Sequence, residues 1–168
     1  MKAMILAAGA NLRLGDFIDV PKCLLPLKKS TILENQINAL TKAGLGKEDI
    51  LIVVGHKAEM IQKVHKYTLF NPKFAEFDNG YSVYLALKYL LHGGNLSDDE
   101  QIFILDGDLV YDEDLIRKIN ALNKENVLVN KPIEYSKELK DEISIIDKKG
   151  KILELIIPSK QSPLHQKY

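Results

Sequence analysis

Three apolar runs constrain this chain more than anything else in it. Ala3-Met4-Ile5-Leu6-Ala7, Ile50-Leu51-Ile52-Val53-Val54 and Ile102-Phe103-Ile104-Leu105 are each continuous, without the polar alternation of a strand that is wet on one face. Runs of this length and composition read as strands buried on both sides, and such strands belong to parallel sheets covered by helices. Helical spacing lies between them. Ile32, Leu33, Ile37 and Leu40 follow Thr31, which forms a capping-box pattern with Glu34, and Gly44 ends the segment. Lys57–His65 reads as a short helix, Tyr67–Phe70 as a short strand and Asn71–Phe77 as a loop. Asn79 to about Leu91 reads as a helix with Val83, Leu87, Leu90 and Leu91 inward. Asp112–Leu122 is a helix with Asp112 as its cap and acids in its first turn. Val127–Val129 is expected to be a strand, and Ile143–Ile146 with Ile152–Ile157 a hairpin around Asp147-Lys148-Lys149-Gly150. The expectation is an α/β fold, its central sheet mostly parallel and flanked by helices, with a C-terminal hairpin.

Composition narrows the function classes. At 168 residues the chain reads as one domain, long enough for a sizeable core. A formal net charge of zero gives no sign of a nucleic-acid or membrane surface. No run is long enough to cross a bilayer, and the first residues enter a strand without a signal peptide. The single cysteine, Cys23, excludes an internal disulfide and points to a reducing, cytoplasmic setting.

In a parallel sheet, ligands collect beyond the carboxyl ends of the strands. Three stretches fall there: Ala8–Lys22, Gly55-His56-Lys57 and Asp106-Gly107-Asp108. The first joins a strand end at Gly9 to Arg13 and Lys22. Exposed backbone amides and two fixed cations suit a polyphosphate. Arginine occurs only at positions 13 and 117, and its planar fork fits phosphate oxygens as lysine does not. The plainer reading is a strand, a loop and two solvated cations. Asp106 and Asp108 offer two carboxylates for Mg2+, which takes one or two of them together with phosphates; the plainer reading is a polar turn. Asn79-Gly80-Tyr81-Ser82 sets amides and a hydroxyl at a helix start, where an ordinary cap would look the same. The histidines at 56, 65, 92 and 165 lack metal-ligand spacing. Cys23 has no histidine partner in view and reads as a structural thiol. Tyr81, Tyr84 and Tyr111 would suit a quaternary ammonium, although core or rim positions are the ordinary reading at their spacing.

The order of these residues carries a resemblance. Leu6-Ala7-Ala8-Gly9, then Arg13-Leu14, then Pro21-Lys22 and a further Leu-x-Pro resembles the opening of the nucleotidyltransferases that activate phosphorylated sugars and alcohols. Two positions depart from the usual pattern: Asn11 replaces a second glycine, and Leu12 replaces a Ser or Thr. Asn tolerates positive φ, which keeps the turn accessible, whereas Leu12 removes a hydroxyl. Asn71-Pro72-Lys73-Phe74 followed by Asn79-Gly80-Tyr81-Ser82-Val83-Tyr84-Leu85-Ala86 resembles the CTP-dependent branch, which acts on phosphocholine, inositol 1-phosphate or 2-aminoethylphosphonate. The resemblance implies a Rossmann-like (GT-A-type) fold.

The same resemblance implies the site. Lys22, Arg13 and Asp108 would be catalytic. Leu6, Ala7, Ala8, Gly9, Gly55, Asn79, Gly80, Tyr81 and Ser82 would bind the nucleotide, and Asp108, with Asp106 behind it, would hold Mg2+. The reaction would be attack by an acceptor phosphate on the α-phosphorus of CTP, with pyrophosphate leaving. Its partners would be CTP or another NTP and a small phosphorylated acceptor. Two other readings stay open: a sugar-1-phosphate enzyme using UTP or dTTP, and a non-catalytic nucleotide-binding regulatory module, which Asn11 and Leu12 favour. The family is usually longer than this chain. A truncated form, a partner chain or a homodimer would each account for the difference.

Overall fold

A computed structural model describes residues 1–9, 19–93, 96–97, 100–122, 143–146 and 152–156. They fall into two compact units, residues 1–123 and 124–168.

In the first unit, β1 (Lys2–Ala7), β4 (Ile50–Val54), β5 (Thr68–Phe70) and β6 (Ile102–Asp106) form one parallel sheet in the order β5-β4-β1-β6. The short strands β2 (Pro26–Leu27) and β3 (Ser30–Thr31) pair antiparallel beside it. The helices are α1 (Ile32–Lys42), α2 (Ala58–Gln62), α3 (Asn79–His92) and α4 (Glu113–Ala121). Alternation along β1 sorts its side chains onto two faces. Ala3 and Ile5 join a core with Leu33, Ile37 and Leu40 of α1 and Ile116 of α4, while Met4 and Leu6 pack with Ala86 and Leu90 of α3. Helices thus cover both faces, as the apolar runs predict. Each large aliphatic side chain buried in this way contributes about 1.5–3 kcal/mol.

The punctuation of α1 follows the sequence. The Thr31 hydroxyl accepts from the Glu34 amide at 3.2 Å, and the Glu34 carboxylate accepts from the Thr31 amide at 2.7 Å. Beyond the last turn, Gly44 takes φ 109°, a region that favours glycine.

Several expectations are corrected. Within the long connection predicted from Ala8 to Lys29, Lys22–Leu24 forms a 3-10 turn and β2 follows it. The helix read over Lys57–His65 shortens to α2, with Lys57 ahead of it at φ 52°. Ile104 in β6 is 51% exposed, so this run is not buried on both faces; among the described residues β6 pairs only with β1. Leu91 is 59% exposed rather than inward. The buried stripe of α3 runs Ser82, Ala86, Leu90, and Leu91 lies one helical step, about 100°, off it. α3 begins at Asn79 as read, with Asp78 in the cap position ahead of it.

In the second unit, β7 (Ile143–Ile146) pairs antiparallel with β8 (Ile152–Ile156), with an irregularity between Ile145 and Ile146. These are the two strands of the expected hairpin. Its turn at 147–150 and the strand expected at Val127–Val129 lie outside the described residues.

Candidate functional site

A cleft of about 300 Å³ opens at the carboxyl ends of β1 and β6. That volume is at the lower end of the range for small-molecule sites. Leu6, Ala7 and Gly9 line it from β1 and the segment after it, and Pro21, Lys22 and Cys23 from the turn that follows. Asp106, Gly107 and Asp108 close it from the end of β6, and Asn79 from the start of α3. Seven residues singled out in the sequence therefore meet here: Leu6, Ala7, Gly9, Lys22, Asn79, Asp106 and Asp108. Arg13 lies outside the described residues.

The charges sit together. Lys22 Nζ is 3.8 Å from Asp108 Oδ2, with the two side chains 33% and 53% exposed. A pair this wet contributes about 0–1 kcal/mol, so a more highly charged ligand can part it at little cost. Asn79 Nδ2 donates to Asp106 Oδ1 at 3.0 Å, which ties the start of α3 to the end of β6.

Tight backbone packing draws the strand ends together. The Gly107 amide donates to the Leu6 carbonyl at 2.9 Å, and the His56 amide donates to the Ala8 carbonyl at 3.2 Å. A Cβ on Gly107 would stand 2.8 Å from the Leu6 oxygen, and one on Gly55 2.5 Å from the Ala8 oxygen. Both glycines are needed for close approach between strands. Gly9 differs: a Cβ there would meet nothing of the described protein within 4 Å.

Other predicted residues stand back from the cleft. Ser82 is 2% exposed, and its hydroxyl accepts from Asn71 Nδ2 at 3.0 Å, so that hydroxyl serves the fold. Tyr81 stacks on Phe77 at 5.3 Å between centroids, and a Cβ on Gly80 would meet open space. Ala8 and Gly55 act through the packing just described. A cage of Tyr81, Tyr84 and Tyr111 does not form: Tyr111 is buried in the core with α1 and α4, while the other two stand on α3. Lys73 already lies over the rings of Phe77 and Tyr81, and Lys88 over Tyr84. Burial pushes the Cys23 thiol up to about 12, so it is not a thiolate nucleophile near neutral pH. His65 is buried with Nε2 2.8 Å from the Ile50 carbonyl, a packing role. Among the described residues no group of three or more His, Cys, Asp or Glu is placed to hold a metal ion.

Two contacts are not predicted by the sequence. Lys57 Nζ donates to the Asp19 backbone carbonyl at 2.8 Å and also pairs with the Asp19 carboxylate, which this bond holds below the usual carboxylate range. Gln36 on α1 is fully buried, and its Nε2 donates to the carbonyls of Asp106 at 2.9 Å and Leu109 at 2.7 Å. A polar residue three positions after Leu33, inside the apolar stripe, was the available signal.

Comparison with known proteins bears on this geometry. Residues 3–134 match the family model of the MobA-like NTP transferase domain. The choline-phosphate cytidylyltransferase of Streptococcus pneumoniae is 35% identical over 61% of this chain and 46% of its own length. The CMP-5'-(3-aminopropyl)phosphonate synthase of Streptomyces rubellomurinus is 31% identical over 72% of this chain and 19% of its own. The CTP:phosphoglutamine cytidylyltransferase of Campylobacter jejuni is 29% identical over 78% and 53%. The chain thus spans about half or less of the curated relatives it matches. Among solved structures, the CTP:phosphocholine cytidylyltransferase of Streptococcus pneumoniae superposes with a TM-score of 0.61 at 22% identity, over 93% of this chain and 64% of that one. That likeness supports the α/β, Rossmann-like fold. No helix among the described residues is long and apolar enough to cross a membrane.

Proposed function

The chain belongs to the MobA-like NTP transferase family, and from that premise we propose that its cleft binds CTP and passes the cytidylyl group to a small phosphorylated alcohol. The observation that carries this reading is the seating of Lys22 opposite Asp108, 3.8 Å apart, in one cleft at the mouths of β1 and β6. The names of the three curated relatives support a cytidylyl donor, and one of them names CTP.

In the step itself, an acceptor phosphate oxygen bonds to the α-phosphorus of CTP. The bond from that phosphorus to the bridging oxygen breaks, and pyrophosphate leaves with the electron pair. The acceptor is an anion near neutral pH and needs no general base, so catalysis is positioning and charge neutralisation. Lys22 turns from Asp108 to the α- and acceptor phosphates. Arg13 is assigned to the leaving pyrophosphate by its place in the sequence. Asp108, with Asp106 behind it, would hold Mg2+: these are hard oxygen donors, and two carboxylates suffice when phosphates complete the shell. When bound, Mg2+ supplies positive charge to the phosphates. A cytoplasmic setting fits both a free Cys23 thiol and a nucleoside triphosphate donor.

The test is pyrophosphate release with CTP, UTP and dTTP in turn, with Mg2+ and phosphocholine or other phosphorylated alcohols. Release with CTP above UTP is expected, together with a fall of about 100-fold or more in Lys22→Ala, the scale for losing one preorganised charge donor. Equal rates with UTP would overturn the CTP assignment. Binding without release would leave a regulatory module in its place.

A further inference from the structure

We propose that Gln36 is a positioning residue for the turn that carries Asp108, and that through this turn it sets the affinity of the site for a divalent cation. The inference rests on the reading of Asp108 as a cation ligand. Asp106-Gly107-Asp108-Leu109 forms a four-residue turn whose own closing bond is weak. The Leu109 amide reaches the Asp106 carbonyl only at 3.4 Å, beyond the usual range for such bonds. Gln36 supplies what the turn lacks. Its single amide nitrogen donates to the carbonyls of the first and last residues, at 2.9 and 2.7 Å. Asp108 lies between those two anchors, 3.8 Å from Lys22.

The orientation of the amide is dictated by its surroundings. Two carbonyl acceptors at one end require the NH2 there, so the oxygen must point away. That oxygen, Gln36 Oε1, is buried with no hydrogen-bond partner among the described residues. A side chain selected only to fill the core would avoid this: methionine has nearly the same length and no orphaned acceptor. Glutamine carries the unfavourable oxygen in order to hold the turn. Its role is therefore toward the loop of Asp108, not toward the packing of α1.

Gln36→Met separates the two. Mn2+ binding to the full chain in the presence of CTP, read by electron paramagnetic resonance, is expected to weaken at least fivefold in the variant. CTP binding in EDTA should change less than twofold. Hydrogen exchange in the ligand-free protein should quicken in the peptide covering residues 106–111, with the peptides of β1 and β4 unchanged. A folded Gln36→Met that binds Mn2+ as tightly as the wild type overturns the proposal. If Gln36→Met does not fold, Gln36→Asn, which keeps the amide but falls one methylene short, is held to the same criterion. A wild-type protein that binds CTP but no Mn2+ refutes the cation reading and this inference with it, and the variants are not needed to see it.

Discussion

Replacing Gly55 with alanine tests whether the strand ends are held by close packing. Gly55 follows β4 directly. A methyl carbon there would lie 2.5 Å from the Ala8 carbonyl oxygen, 2.5 Å from Phe74 Cβ and 2.7 Å from Phe74 Cγ. Non-bonded carbons rest at about 3.5–4.0 Å, so the overlap with Phe74 is roughly 1 Å. Gly55 does not occupy the left-handed region, so alanine adds no backbone strain and the cost is steric. Neither obstacle is the free end of a flexible side chain. Relief requires the junction of β1 and β4 to open, at the expense of the hydrogen bond from His56 to Ala8. Overpacking costs about 1–3 kcal/mol, and the lost hydrogen bond about 1 kcal/mol more. The total is about 2–4 kcal/mol, which lowers Tm by about 6–15 °C in a domain of this size. Thermal unfolding followed by circular dichroism reads it, with Gly80→Ala as the control. A Cβ at Gly80 meets nothing within 4 Å, and in a helix alanine should stabilise by about 0.5–1 kcal/mol. A Gly55→Ala protein melting within 2 °C of wild type, on the scale worked here, would refute the packing argument. Lost CTP binding at unchanged Tm would assign Gly55 to the ligand instead.

Other outcomes follow from the same geometry. Gly9→Ala should fold as the wild type does, because its Cβ meets no described atom, yet lower CTP affinity about tenfold, or about 1.4 kcal/mol, as the methyl enters the cleft; equilibrium dialysis decides. Tyr111→Phe should raise Tm by a few degrees, since the buried hydroxyl has no partner among the described residues and such a group costs about 1–3 kcal/mol. A fall in Tm would mean that the hydroxyl is satisfied. Acid should weaken the fold in a defined direction. The hydrogen bond from Lys2 holds Asp49 below the usual carboxylate range, and the N-terminal amine does the same for Glu100. Both contributions are present above about pH 4 and are lost as pH falls through the lower folded values. Urea unfolding from pH 7 to pH 3 should show a shallower decline in Asp49→Asn than in the wild type.

Much of the fold was legible because its signals are local. Ile50–Val54 announces burial by its own composition, and Thr31 with Glu34 marks a helix start within four residues. The sequence reading fails where a residue's fate depends on distant chain. Ile104 sits in as apolar a run as Ile52, yet Ile52 lies in a strand paired on both sides and Ile104 in one paired, among the described residues, only with β1. Ser82 reads as a nucleotide-binding residue, yet it is buried and its hydroxyl accepts from Asn71, a partner the sequence pattern does not announce. The convergence of Lys22 with Asp108 followed from topology, because parallel strands bring their carboxyl ends to one edge. The role of Gln36 did not, since its two acceptors lie 70 and 73 residues away.

The placement of β1 also governs when this protein can form. Its first strand is flanked by β4 and β6, with Lys2 beside Ile102 and the N-terminal amine paired with Glu100. During synthesis the opening segment leaves the ribosome long before the strand that must lie against it. Such non-local pairing makes for slow folding. Until residue 106 has emerged, the apolar edge of β1 stays bare, open to chaperones and to other nascent chains.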